Sequence, residues 1–369
     1  MAASSLETIL TRAWLRRGVL ACLLFPVSLI FGALGALRRL LYRVGVLRSV
    51  KLSVPVVIVG NIFIGGTGKT PLTIWLAGVL KDAGFTPGII SRGHGGEGRA
   101  PRLVTSSSLA AEVGDEPLLM ALRTGCPVMV GRDRPAAGVA LLAAFPAVDI
   151  LISDDGLQHY ALRRDVEIVL FDGRGVGNGW LLPAGPLREP ASRARDFTVV
   201  NLAAGGTGPA GLSPSLDRGL LAPQQGIAPR TKDGESRQAT VPPYVMRLDG
   251  SMAEQLVDRT NRVALSNFQG KKLAAAAGIG NPARFFATLK THGLDFTELP
   301  LPDHHDFTDK PFAALDADII LITEKDAVKC GQIENLKRDP RLWVVPVTAQ
   351  LDAGLAEQIV EKCRGCSTA

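Results

Sequence analysis

The stretch Gly65-Gly66-Thr67-Gly68-Lys69-Thr70 has the residue types and spacing of a phosphate-binding loop. Glycines let backbone N–H groups turn inward around phosphate oxygens, and the N-terminus of a following helix adds a favourable dipole. In that pattern Lys69 reaches the β- and γ-phosphates of a nucleoside triphosphate, and the Thr70 hydroxyl ligates Mg²⁺. The flanks have the right character. An apolar run, Val54–Val59, reads as a buried parallel strand. After the loop, Leu72, Trp75, Leu76, Val79 and Leu80 fall at helical spacing, with Gly84 placed to end the helix.

The strict pattern has glycine where Phe63 stands. A double-glycine variant fits better. Membrane-recruited ATPases that use this variant usually carry lysine just before the two glycines, where this chain has Ile64.

The second chemical signal is Ile150-Leu151-Ile152-Ser153-Asp154-Asp155-Gly156-Leu157-Gln158-His159. An apolar strand ending in carboxylates is where a P-loop enzyme places the acid on its Mg²⁺ side. Asp154 or Asp155 would bind metal directly or through water. A plain strand-end turn is the alternative, and the phosphate loop favours the metal reading. Asp115, in Gly114-Asp115-Glu116-Pro117, reads on its own as a helix cap. Arg132 and Arg134 follow a strand and are either phosphate ligands or solvated surface arginines. The stretch Gly177–Glu189 is too rich in glycine and proline for helix or strand, and a loop of that length usually has a function. His304 and His305 are adjacent; by their letters alone they are a surface pair, and no zinc-ligand spacing accompanies them. Thr323-Glu324-Lys325-Asp326 reads as a charged turn after a strand.

These residues need a scaffold, and the chain can supply one. Its 369 residues are enough to bury a sizeable core and form two domains, with 46% hydrophobic and 21% charged residues. Strands are expected at Val54–Val59, Gly88–Ser91, Val128–Gly131, Asp149–Ser153, Val166–Phe171 and Thr198–Asn201, with helices through Leu118–Leu122 and Val139–Phe145. Such alternation signals a doubly wound parallel sheet, whose ligands collect at the carboxyl ends of the strands. The fold class expected is α/β: a P-loop doubly wound sheet, a second smaller α/β domain and an N-terminal membrane-associated helix. The boundaries expected are 1–50 for the N-terminal segment, 51–202 for the P-loop domain, 203–261 for a linker, 262–349 for the second domain and 350–369 for a helix or tail. In the second domain Arg284–Leu289 reads as helix, with Ile319–Thr323 and Leu342–Val347 as strands.

Gly18–Ala36 is almost wholly apolar, and arginines flank it at 12, 16, 17, 38, 39, 43 and 48. It is long enough for a span of about 20 residues and equally suited to lie in the interface. Basic flanks attract anionic headgroups, which favours membrane association over a core helix. The net charge of +6 suits anionic lipid or nucleotide. No DNA- or RNA-binding signature accompanies it, so no nucleic-acid partner is expected. Five scattered cysteines fit a reducing compartment.

Taken together, GNxxxGGTGKTP, SRG, GDEP, GRDR, DDGLQH, GNGWLLPAGPLRE, PDHHDF and TEKDAVK resemble the tetraacyldisaccharide 4'-kinase family of the lipid A pathway, from about residue 12 to about residue 348. The resemblance implies transfer of the γ-phosphate of ATP to the 4'-hydroxyl of a tetraacyl glucosamine disaccharide 1-phosphate. It also implies a place at the cytoplasmic face of the bacterial inner membrane. By motif, Asp115 would be the base, His304 its partner, and Lys69 a catalytic phosphate ligand, with Phe63, Ile64 and the residues through Thr70 forming the nucleotide loop. Thr70, Asp154, Asp155 and Glu189 would serve Mg²⁺, and Arg132, Gln158 and Arg188 would contact substrate or phosphate. His94 stands where the family usually has tyrosine. The competing readings are a membrane-recruited switch ATPase, a non-catalytic nucleotide or lipid binder, and a kinase of another glycolipid.

Overall fold

The computed structural model describes residues 13–93, 100–202 and 243–366. His94 and residues 203–242 of the expected linker lie outside the described residues.

The chain opens with helix α1 (Val19–Arg43), long and apolar enough by length and composition to cross a membrane. Leu23, Val27, Ile30, Leu34 and Leu37 are exposed along it, and Ala21 and Ser28 are buried. The first α/β unit follows: β1 (Val56–Gly60), α2 (Lys69–Asp82), β2 (Pro87–Ser91), β3 (Arg102–Val104), α3 (Asp115–Thr124), β4 (Val128–Val130), α4 (Arg134–Ala144), β5 (Ile150–Asp154), β6 (Val166–Asp172) and β7 (Phe197–Leu202). Then come β8 (Tyr244–Asp249), β9 (Met252–Gln255), β10 (Arg262–Ala264), β11 (Leu273–Ala277), α5 (Pro282–Thr291), β12 (Thr297–Pro300), β13 (Ile319–Thr323), α6 (Glu324–Cys330), β14 (Leu342–Val345), β15 (Thr348–Gln350) and α7 (Ala353–Arg364).

Among the described residues the first sheet has the order β15-β8-β7-β6-β1-β5-β2-β4-β3. All its pairings are parallel except the two outermost, β15 with β8 and β3 with β4. Every residue of β1, β5 and β7 is buried, as strands covered by helices on both faces require. One face packs Val57, Val59, Ile152 and Ile168 against Leu72, Leu76 and Leu80 of α2; the other packs Ile58, Leu151 and Val169 against Leu141 of α4. The second sheet runs β10-β9-β14-β13-β11-β12, parallel from β14 to β12, with its own cores on both faces.

The chain does not divide where the sequence suggests. Strand β8, within the expected linker, pairs in parallel with β7, and β9 from the same segment joins the second sheet. Strand β15 and helix α7, expected at the end of the second domain and in the tail, return to the first sheet. Leu355, Ile359 and Cys363 of α7 share a core with Leu76 and Leu80 of α2. The physical reason is the edge. Strand β7 is buried on both faces, and a long apolar strand of that kind is a poor sheet edge.

This return makes a stability prediction. Ile359→Ala should lower the unfolding free energy by about 2–5 kcal/mol. Glu357→Ala, on the exposed side of the same helix, should stay within about 0.5 kcal/mol. Urea melts in detergent followed by circular dichroism compare them, and equal midpoints would detach α7 from the first core.

Candidate active site

The phosphate loop leaves β1 at Gly60 and enters α2 at Lys69. Gly65 and Gly68 adopt φ of +99° and +97°, the left-handed region that glycine enters at no steric cost. Lys69 Nζ lies 3.5 Å from Asp155 Oδ1 and 3.4 Å from Asn61 Oδ1. Asp155 stands just past the end of β5 at φ +48°, a strained conformation for a residue with a side chain. Its buried Oδ1 has no well-formed hydrogen bond and faces Lys69 and, at 3.8 Å, Arg188. Burial disfavours its ionised form, but Lys69 and Arg188 outweigh that and hold the carboxyl below the usual carboxylate range.

Asp154 is different. It is buried, accepts hydrogen bonds from Thr73 Oγ1 (3.4 Å) and Ser91 Oγ (3.2 Å), and is pushed up to about 7 by burial, with Glu116 and Asp155 adding to the effect. Arg134 lies fully buried beneath it and donates to Gly131 O at 2.6 Å and Asp154 O at 3.4 Å. Of the two arginines offered as phosphate ligands, Arg132 is exposed and Arg134 is buried.

Glu189 was expected beside the aspartates as a metal ligand, but both its oxygens are engaged by protein donors. Gln158 Nε2 donates to Oε1 at 3.0 Å; Tyr160 Oη and Arg193 Nε donate to Oε2 at 2.5 and 2.7 Å. Arg39 of α1 approaches it at 4.0 Å. Its place is that of a hub orienting Gln158 and Tyr160. Among the described residues no cluster of three acidic, histidine or cysteine side chains could hold a metal. The Asp155 Oδ1, without a hydrogen bond and beside Lys69, fits Mg²⁺ of the P-loop kind, whose remaining ligands are phosphate oxygens and water.

The 177–189 loop lies between α1 and the phosphate loop. The Ser28 hydroxyl of α1 donates to Leu181 O and accepts from Ala184 N, and the rings of Phe25 and Trp180 sit 4.5 Å apart. At its other end Arg188 N donates to Ile62 O (2.7 Å) and Ile64 N to Pro186 O (3.0 Å). The apolar N-terminal helix and the segment leading into the phosphate loop are thus braced by the same turn.

A second cluster forms where the domains meet. Asp115, 4% exposed, opens α3, and its Oδ1 accepts the backbone N–H of Glu116 at 2.9 Å. Its Oδ2 is 3.0 Å from His304 Nδ1, 3.4 Å from Lys329 Nζ and 4.0 Å from Lys325 Nζ. The three cationic or ionisable partners all come from the second domain. Lys325 and Lys329 share one face of α6 by their four-residue spacing, and Lys325 also pairs with Glu116 (3.3 Å) and Asp303 (3.2 Å). Arg123 and Glu324 form a further ion pair across the boundary. Burial opposes ionisation of Asp115, but Lys325, His304 and Lys329 outweigh it and hold the carboxyl below its ordinary range.

His304, at φ +60°, is the histidine against Asp115; His305 is turned to Asp309 at 3.3 Å and accepts the N–H of Phe307. Reading the sequence missed Lys325 and Lys329 because their segment resembles a charged turn. The available signal was Lys-x-x-x-Lys directly after an apolar strand, at the carboxyl end of a parallel sheet.

The model of the family described as tetraacyldisaccharide-1-P 4'-kinase matches residues 20–364. The chain belongs to this family, and it is a kinase. The tetraacyldisaccharide 4'-kinase of Janthinobacterium sp. (strain Marseille) is 60% identical, with 99% of each chain covered. That of Herminiimonas arsenicoxydans is 56% identical, over 99% of this chain and 98% of its own. The crystal structure of the LpxK kinase from Aquifex aeolicus in complex with ATP has a TM-score of 0.71 at 28% identity, covering 93% of this chain and 99% of that one.

The lysines around Asp115 predict a pH effect. Removing a cation favours the protonated carboxyl, so Lys329→Met should raise the Asp115 pKa. The acid limb of kcat/KM would then move to higher pH, and Lys329→Arg should largely restore it. An unmoved acid limb in Lys329→Met would sink this assignment.

Proposed function

We propose that the chain transfers the γ-phosphoryl group of ATP to the 4'-hydroxyl of a tetraacyl glucosamine disaccharide 1-phosphate in lipid A biosynthesis, at the cytoplasmic face of the bacterial inner membrane. The observation that carries this reading is the buried Asp115, paired with His304, at the start of a helix that packs on the phosphate-loop helix. The full-length match to kinases of that name supports the choice of acceptor.

In this mechanism Phe63–Thr70, with Lys69 among them, receive the nucleotide phosphates; Thr70 and Asp155 would hold Mg²⁺, and the adjacent Asp154 is fixed by hydrogen bonds from Ser91 and Thr73. When bound, Mg²⁺ neutralises charge on the β- and γ-phosphate oxygens. A sugar hydroxyl is a poor nucleophile until a carboxylate accepts its proton. Asp115 takes that proton as the acceptor oxygen bonds to the γ-phosphorus and the bond to the β,γ-bridging oxygen breaks, releasing ADP. His304 orients the carboxylate. Arg188, beside Asp155, adds positive charge at the phosphates, and Gln158 is held toward the site by Glu189. Because Asp115 and His304 come from different domains, docking of the two excludes water from the transfer.

Helix α1 supports membrane placement. Ser28 and Phe25 fix it to the 178–184 turn, while Leu23, Val27, Ile30 and Leu34 remain exposed for lipid. Replacing Leu23 and Ile30 with glutamate should abolish sedimentation with anionic vesicles while ATP affinity in detergent stays unchanged. Loss of both together would mean that α1 serves folding instead.

The deciding assay is transfer from labelled ATP to the tetraacyl disaccharide 1-phosphate in detergent micelles. Asp115→Ala should lower kcat by about 10²–10⁴-fold with little change in ATP affinity. Rapid ATP hydrolysis without labelled lipid would instead favour a switch ATPase. Equal turnover of an acceptor lacking the 1-phosphate would point to a kinase of another glycolipid.

A further inference from the structure

A loop that aims its N–H groups inward at phosphate must aim its carbonyls outward, and those carbonyls need partners. Here three consecutive ones are met by side chains. Asn61 Nδ2 donates to Gly65 O at 3.1 Å, Arg174 Nη2 to Gly66 O at 3.1 Å, and Asn201 Nδ2 to Thr67 O at 2.8 Å. We infer that Asn61, Arg174 and Asn201 are positioning residues that hold the phosphate loop in its phosphate-receiving shape, and that Arg284 ties this support to the second domain.

Each donor is itself fixed. The Asn61 amide also donates to Thr67 Oγ1 at 3.1 Å, and its Oδ1 accepts from Lys69 at 3.4 Å, so one side chain sets both the loop and its lysine. The Arg174 guanidinium is clamped by Asp172, with contacts of 3.0 and 2.6 Å, and lies 4.3 Å over the Phe63 ring. Phe63 therefore serves as a platform for the arginine that holds Gly66. Asn201, one residue before the end of β7, is 1% exposed and so close beneath Gly68 that any β-carbon there would collide with its amide. Its Oδ1 accepts from Arg284, in the first turn of α5, and the same guanidinium reaches Leu202 O at 3.5 Å.

The chain of contacts Arg284–Asn201–Thr67 crosses from the second domain to the loop. A glycine-rich segment has more backbone freedom to lose than any other, so a loop fixed in advance binds phosphate at lower entropic cost. Nucleotide affinity thereby becomes linked to docking of the second domain. This rests on the reading that the loop receives nucleotide phosphates.

The test is calorimetric binding of ATP with Mg²⁺ to the full chain in detergent, without lipid acceptor, alongside melting temperatures. Asn201→Asp keeps an oxygen toward Arg284 but removes the N–H given to Thr67. It should weaken ATP binding roughly tenfold, raising the KM for ATP while kcat and the KM for lipid stay near wild type. Arg284→Ala should weaken ATP severalfold with the same KM-against-kcat split, and its effect should shrink when combined with Asn201→Ala, because both act through one contact chain. ATP affinity unchanged in folded Asn201→Asp would overturn the inference. So would losses in affinity that merely follow the melting temperature across all variants. Wild-type protein that binds ATP but labels no lipid would refute the functional reading above, while a selective loss in Asn201→Asp would still support this one.

Discussion

A buried carboxylate cannot stay ionised without partners, and that constraint shapes the meeting of the two domains. Asp115 belongs to the first domain, yet His304, Lys325 and Lys329 all come from the second. Removing one partner from a buried pair typically costs about 3–5 kcal/mol, so separating the domains leaves a costly uncompensated charge unless water reaches it. The carboxylate we propose as acceptor of the substrate proton is thus the group that rewards docking. That carboxylate and the domain interface are one electrostatic object.

The other half of the site depends on a backbone constraint. Phosphate recognition by N–H groups requires outward carbonyls, and Asn61, Arg174 and Asn201 receive them. The 177–189 turn adds a brace, gripping α1 through Ser28 and Trp180 and the segment leading into the phosphate loop through Pro186 and Arg188. An apolar helix, a phosphate loop and a domain that supplies the partners of Asp115 are therefore joined through few contacts. Under the function proposed above, with an acylated acceptor and a water-soluble donor, that compactness would keep the reacting ends close.

The strand pattern of the first domain was legible because its strands are fully buried and read as apolar runs, as with Val56–Gly60 and Ile150–Asp154. Strand β8 was not, since its residues are mostly half-buried and it follows a stretch rich in glycine and proline. Its place beside β7 depends on an edge that only the assembled sheet presents. The same holds for β15 and α7, whose return to the first sheet has no local signal.

The sequence by itself determined the phosphate loop, the aspartates at the end of β5, the apolar N-terminal helix and, through its motifs, the family. Those features are encoded in contiguous residues and in the periodicity of single elements. The motif resemblance already pointed to His304 as the partner of Asp115; only the tertiary structure decided that Lys325 and Lys329 surround that carboxylate and that Glu189 is occupied by Gln158, Tyr160 and Arg193. Asp115 and His304 are 189 positions apart in the chain. Their contact follows from how two sheets dock, which no local pattern of residues expresses.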